Sequence, residues 1–178
     1  MKNLLMRHLI LLSIFLLSFT ITFSQSKKGV KEHTSLNNTQ NTITKNGIKF
    51  ISKGFKVSEA YLVFEDENLV PEGNKISLNQ TVNILLIIDG GWKEAAGRVF
   101  PGGTQQILTV KGKVIESSED AFSTFDTEGL TPEDARYIML NTKITDVKNR
   151  KNFVIVNFKV WDKKSDAEIN GSYKLYIK

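Results

Sequence analysis

The sequence predicts an all-β protein: two antiparallel sheets packed as a sandwich, with one or two short helical crossovers. Three observations predict it. From Asn46 onward apolar and polar residues largely alternate, the period-two signature of half-buried strands. Pro, Gly, Asn and Asp interrupt the alternation at short intervals, as turns require. The resulting seven to nine strands in one domain of this size favour a two-sheet sandwich over a barrel.

The chain opens MKNLLMRHLILLSIFLLSFTITFSQSKK, with Lys2 and Arg7 ahead of an apolar run from Leu9 to Phe23. Residues 1–24 are therefore expected to be a secretory signal peptide. Thr22 and Ser24 suit cleavage after Ser24, and a cut after Ser26 is the second option. The apolar run falls short of the roughly 20 residues a membrane span needs, so the expected product is exported, periplasmic or extracellular, with no membrane span after cleavage. Residues 25–45, QSKKGVKEHTSLNNTQNTITK, are polar and aperiodic and read as a flexible tether, with a first edge strand through TQNTITK as the alternative. A single sandwich domain is expected over 46–178.

Within that domain GIKFISKGFKV and EAYLVFED read as strands, and NLVPEGN breaks the run. KISLNQTVNILLIID places Val82, Ile84, Leu86 and Ile88 on one face with Leu85 and Ile87 on the other, as expected of a central strand. IIDGGWKEAAGRVFPGG, from Ile87 to Gly103, then reads as a long excursion whose glycines serve turns. QQILTVKGKVIE follows, with a turn at Lys111 and Gly112. In the acidic stretch SSEDAFSTFDTEGLTPEDARY, Ser117 with Asp120 suits a cap for a short helix through Phe122. Thr131, Pro132 and Asp134 suit the start of a second. Ile138, Leu140, Thr142 and Ile144 begin three strands joined by VKNRKN and DKKSDA, an expected antiparallel meander.

One local pattern refines the architecture. LTPEDARYIM, Leu130 to Met139, resembles the tyrosine corner of immunoglobulin-type domains, with Ala135 and Tyr137 in its last two roles. Glu133 stands in place of the usual Asp, and Met139 where antibody domains have Cys. The resemblance implies an immunoglobulin-like sandwich with Tyr137 hydrogen-bonded back to the corner, and says nothing of function.

Composition excludes much chemistry. The chain has no Cys and two His; His8 lies in the expected signal and His33 in the tether. The domain thus has no Ser-His-Asp triad, thiol nucleophile, His-ligated zinc or His- or Cys-ligated haem. Carboxylate pairs remain open to it. Without Lys2 and Arg7 the 24 basic residues become 22 against 19 acidic ones, too mild an excess to imply nucleic acid. The distribution is uneven: Val114 to Ala135 holds seven acids and no Lys or Arg, and Glu133 and Asp134 are candidates for docking a basic protein partner. Neither GxGxxG nor GxxxxGK[ST] occurs between Ile87 and Gly103, so that segment is not a phosphate loop.

Trp92, Arg98 and Phe100 instead suggest an exposed aromatic and basic ligand surface, with Trp161 as a fourth member. Trp161 shares its phase with Phe153 and Ile155, which reads as core, and with Asn157 and Lys159, which does not. Asp162, Asp166 and Glu168 gather oxygen ligands that could hold calcium, although the EF-hand spacing is absent; no other cofactor is expected. The expected function is that of an exported, non-catalytic β-sandwich module binding a protein or other cell-envelope partner. A carbohydrate-binding module using exposed aromatics is the alternative, and a carboxylate-based hydrolase the second alternative.

Overall fold

A computed structural model describes residues 42–145 and 153–178. The expected signal peptide, the tether up to residue 41 and the VKNRKN turn lie outside the described residues. Among the described residues ten strands follow in order: β1 (Ile43–Thr44), β2 (Lys49–Lys53), β3 (Lys56–Phe64), β4 (Lys75–Ile76), β5 (Thr81–Gly90), β6 (Pro101–Leu108), β7 (Val114–Ser117), β8 (Tyr137–Lys143), β9 (Phe153–Asp162) and β10 (Glu168–Ile177). They form two sheets, ordered β1-β3-β5-β8 and β2-β10-β9-β6-β7, with β4 also on β10. The chain passes repeatedly from one sheet to the other, as in immunoglobulin-like sandwiches. Pairing is antiparallel except for β1 with β3 and β4 with β10.

Alternation builds the core. Val82, Ile84, Leu86 and Ile88 of β5 and Ile138 and Leu140 of β8 face Val154, Val156, Phe158 and Val160 of β9 and Tyr173 and Leu175 of β10, all buried. Each such aliphatic side chain contributes about 1.5–3 kcal/mol by leaving water. β5 lies between β3 and β8, the central place expected from its two apolar faces.

Four expectations change. The C-terminal meander does not form, because β8 pairs with β5 while β9 and β10 make a hairpin in the other sheet; alternation specifies a strand's buried face but not its partner. Ile43 and Thr44, assigned to the tether, extend the smaller sheet, with Thr42 Oγ1 donating to Val57 O at 2.8 Å and Lys45 N to Ala60 O at 3.0 Å. The crossovers are single 3-10 turns at Ser123–Phe125 and Asp134–Arg136. Ser117 ends β7, and Asp120 Oδ1 accepts from the N–H of Phe122, the residue before the turn, at 3.0 Å. Thr131 Oγ1 accepts from Asp134 N at 3.1 Å, but the residue that caps this turn is Glu133, without a side-chain bond. Finally, Tyr137 is 49% exposed on an edge strand, with the Arg136 guanidinium 5.6 Å from its ring centroid. It is not the buried Tyr of a tyrosine corner.

The buried Tyr is Tyr173. Its hydroxyl lies 2.9 Å from Thr142 Oγ1 and accepts from Gln105 Nε2 at 3.2 Å, while Thr142 Oγ1 lies 3.1 Å from Gln105 Oε1. This triad joins the two sheets through the core, and among the described residues no buried side-chain N or O lacks a partner. Burial pushes the Tyr173 phenol well above its ordinary value of 10.0, against the smaller opposing effect of its bonds to Thr142 and Gln105. A raised phenol pKa favours folding fully below pH 10 and loses that contribution as pH rises towards the folded-state value. Tyr173→Phe is expected to cost about 1–3 kcal/mol at pH 7, by stranding buried polar partners. It is also expected to flatten the fall in stability above pH 10, which urea titrations from pH 7 to 11 would measure. Tyr61 and Lys163, also raised, would supply the residual slope.

Candidate ligand-binding face

The Gly-rich excursion is shorter than its sequence implies, since Ile87–Gly90 belongs to β5 and Pro101–Gly103 to β6. Within it Ala95 and Arg98 exchange backbone bonds of 2.8 and 3.1 Å around Ala96 and Gly97, whose φ values are 53° and 73°. Two consecutive positive φ values make this a two-residue hairpin of type I′, a turn that favours Asn-Gly. Ala96→Asn is therefore expected to stabilise the fold by about 0.5–1 kcal/mol, read as a higher urea midpoint.

The aromatic surface expected here is not presented. Trp92 packs against the core, edge-on to Phe55 with centroids 4.5 Å apart, and its Nε1 donates to Ala135 O at 3.1 Å. Phe100 is half-buried with the Lys164 ammonium 4.4 Å from its centroid. Arg98 is also half-buried, its Cβ 3.1 Å from where a Cβ on Gly129 would stand. All three brace the excursion against the acidic segment, an outcome that a spacing within one loop does not reveal.

Part of that acidic segment is tied down. Lys163, in the β9–β10 turn, pairs with Asp120 at 2.6 Å and with Asp126. Burial opposes charge on Asp120, but the Lys163 ammonium and the N–H groups of Phe122 and Gly103 outweigh it and hold the carboxyl below its usual range. Glu133 and Asp134 remain exposed, with Asp134 bonded to Thr131 at 2.6 Å.

The candidate calcium ligands do not converge. Asp162 is 2% exposed and accepts from Lys93 N at 2.8 Å, Ser165 Oγ at 2.7 Å and Lys164 N at 2.9 Å. Glu168 pairs with Lys159 at 2.7 Å and Asp166 is exposed. Among the described residues no group of three His, Cys, Asp or Glu could hold a metal ion. The periodicity explains the scatter: Asp162 faces inward at the end of β9, while Glu168 faces outward on β10.

Trp161 is the one aromatic of the four on an open face. On β9 the even-numbered residues from Val154 to Asp162 are buried, and Phe153, Ile155, Asn157, Lys159 and Trp161 form the outer face. A Cβ on Gly102, its neighbour on β6, would stand 2.1 Å from Trp161 Cε2 and 2.4 Å from both Cζ2 and Nε1. Near-equal distances on either side of Cε2 mean that one face of the indole rests on Gly102, and the Lys159 ammonium stands over the ring, 6.0 Å from its centroid. Gly102 is thus a packing glycine within a strand, not a turn glycine as expected.

Register extends the surface. Beside Trp161 stands Glu168 of β10; beside Lys159 stand Asn170 and Thr104; beside Asn157 stand Ser172 and Gln106. β2 adds Lys53, Ile51 and Lys49 opposite Glu168, Asn170 and Ser172. At the far end the rings of Phe153 and Tyr176 lie 5.3 Å apart. Sequence reasoning missed this assembly, because its members come from four strands. The usable signal was the polar pair Asn157 and Lys159 in phase with Trp161.

No protein-family model and no curated protein matches the chain. Among solved structures, the chain is similar to one described as the crystal structure of the C-terminal domain of wzt. The identity is 12% and the TM-score 0.46, over 81% of this chain and 89% of that one. No helix among the described residues is long and apolar enough to cross a membrane.

Proposed function

We propose that this chain is an exported, non-catalytic module that binds a glycan across the outer face of its larger sheet. The observation that carries the reading is Trp161, whose indole lies face-down on Gly102 in register with hydrogen-bonding side chains. Sugar rings present C–H groups on their faces and hydroxyls at their rims, so a half-exposed indole on an outer face that continues into amides and hydroxyls complements them in both respects. Asn157 and Gln106 are exposed and Ser172 half-buried, on strands whose rigidity limits the ordering cost of binding. The non-catalytic part is supported by the absence of Cys and, beyond residues 1–24, of any His but His33. It is also supported by the engagement of Asp89, Asp120, Asp126, Asp162 and Glu168 in ion pairs or hydrogen bonds. A glycan array probed with wild type and Trp161→Ala tests the reading. Retention by wild type that the variant loses is expected; no retention, or equal retention by both, overturns it.

A further inference from the structure

We infer that the glycan held on this face is an acidic polysaccharide, one carrying uronate carboxylates along its length. The inference rests on the glycan reading above and adds the charge of the ligand. The outer face of the larger sheet carries Lys49 and Lys53 from β2, Lys75 from β4, Lys159 from β9 and Lys174 from β10. Its one strand carboxylate is Glu168, paired with Lys159 at 2.7 Å, which leaves Lys49, Lys53, Lys75 and Lys174 as the excess positive charge of the face. Glu116, the acid of β7, aligns with Ile107 and so lies in the opposite phase. The smaller sheet shows no such excess: Glu59 and Asp89 balance Lys56 and Lys143 there, and Asp89 is paired with Arg136 at 2.9 Å. The cationic bias therefore belongs to the face that carries Trp161, not to the domain as a whole.

The lysines are spread out, which bears on the kind of anion. A strand rises about 3.3 Å per residue and neighbouring strands lie about 4.8 Å apart. Lys49 and Lys53 are thus separated by roughly 13 Å along β2, and Lys174 stands roughly 20 Å along β10 from Glu168, the partner of Lys53. Charges so dispersed cannot converge on one phosphate or one small anion, but they match carboxylates that recur along a polymer. Lysine is well matched to such a ligand, because a mobile point charge meets successive carboxylates without the fixed two-pronged geometry of arginine. Lys174 also has a platform, its ammonium standing 4.9 Å from the centroid of Phe153.

The test is retention of the whole mature protein on three immobilised probes: uronate polysaccharides, the same polymers after reduction of their carboxyl groups to alcohols, and polyphosphate. Retention on the uronate polymers is expected to exceed that on either other probe by tenfold or more. Lys49→Gln with Lys174→Gln should lower it at least tenfold with an unchanged unfolding temperature. Equal retention on native and reduced polymers, or an unaffected double variant, overturns the acidic preference and leaves the glycan reading standing. Equal retention on polyphosphate and uronate polymers that survives Trp161→Ala shows bare charge attraction and overturns both. No retention on either polysaccharide probe also overturns both.

Discussion

Trp161→Ala is expected to weaken glycan binding by roughly 30-fold or more while leaving the fold intact. An aromatic anchor at the centre of a contact typically accounts for about 2 kcal/mol or more, and each 1.4 kcal/mol is a factor of about ten in affinity. The ring is half-buried on an outer face, outside the core cluster, so its removal exposes Gly102 without opening a cavity. Gly102→Val should reproduce the binding defect by another route. A branched side chain there would occupy the space of the indole, whose Cε2 lies 2.1 Å from the Cβ position, and would lift the ring off the sheet. Trp92→Ala makes the contrast. That ring packs on Phe55 and donates to Ala135 O, so its loss should cost about 2–3 kcal/mol of stability with little effect on binding. Isothermal titration with a retained glycan, paired with thermal unfolding of each variant, separates the two effects. Full affinity in Trp161→Ala would remove the anchor from the proposal.

Asn74→Ala is expected to be the costliest single truncation of a polar residue, at about 3 kcal/mol. Asn74 is 5% exposed and sits at a φ of 50° in the turn before β4. Its amide nitrogen donates to Asn46 O and Lys174 O, both at 2.8 Å, and its Oδ1 accepts from Asn46 Nδ2 at 3.0 Å. Asn46, at a φ of 57°, in turn accepts from Leu62 N at 3.0 Å. The chain Leu62–Asn46–Asn74–Lys174 thus runs from β3 of one sheet to β10 of the other. Removing its middle member takes the donor from two carbonyls, Asn46 O and Lys174 O, while Asn46 Nδ2 keeps its bond to Val70 O at 2.9 Å; each buried group left unpaired costs about 1–3 kcal/mol. It also puts Ala where Asn tolerates a left-handed backbone. A urea midpoint close to that of wild type would show that water replaces the lost partners.

The sandwich was legible because its information is local. The alternation of Val154, Val156, Phe158 and Val160 specifies β9 and its buried face without reference to any other strand. The two apolar faces of β5 likewise mark it as central. Partnership was not legible: nothing in Ile138, Leu140 and Thr142 says that β8 joins β5 rather than β9, since every candidate neighbour offers the same apolar complement. The proposed binding face suffered from the same limit. Trp92 and Phe100, close in sequence and flanked by turn residues, looked like a surface, yet both serve packing. Trp161 sits among residues contributed by β2, β6 and β10, so only its phase with Asn157 and Lys159 hinted at an open position. Asp162 misled because an acid beside a turn is usually solvated, whereas here three local donors hold it inward.

Gly102 and Gly103 stand side by side on β6 and face opposite ways. A methyl group on the first would strike Trp161, and one on the second would come within 2.8 Å of both Leu140 of the smaller sheet and Phe122 of the acidic segment. At this point the protein is one backbone thick, with the outer face that carries Trp161 on one side and the packed interior on the other. Variation at the pair cannot tune the ligand on its own terms. A substitution that reshapes the platform sits one residue from a position that tolerates no added volume, and a shift of the strand to relieve either crowding is transmitted to the other. Changes of the proposed glycan preference should therefore accumulate at the outward positions of β2 and β10, such as Lys49, Ile51 and Asn170, which are exposed, while β6 stays fixed as the hinge point of both layers.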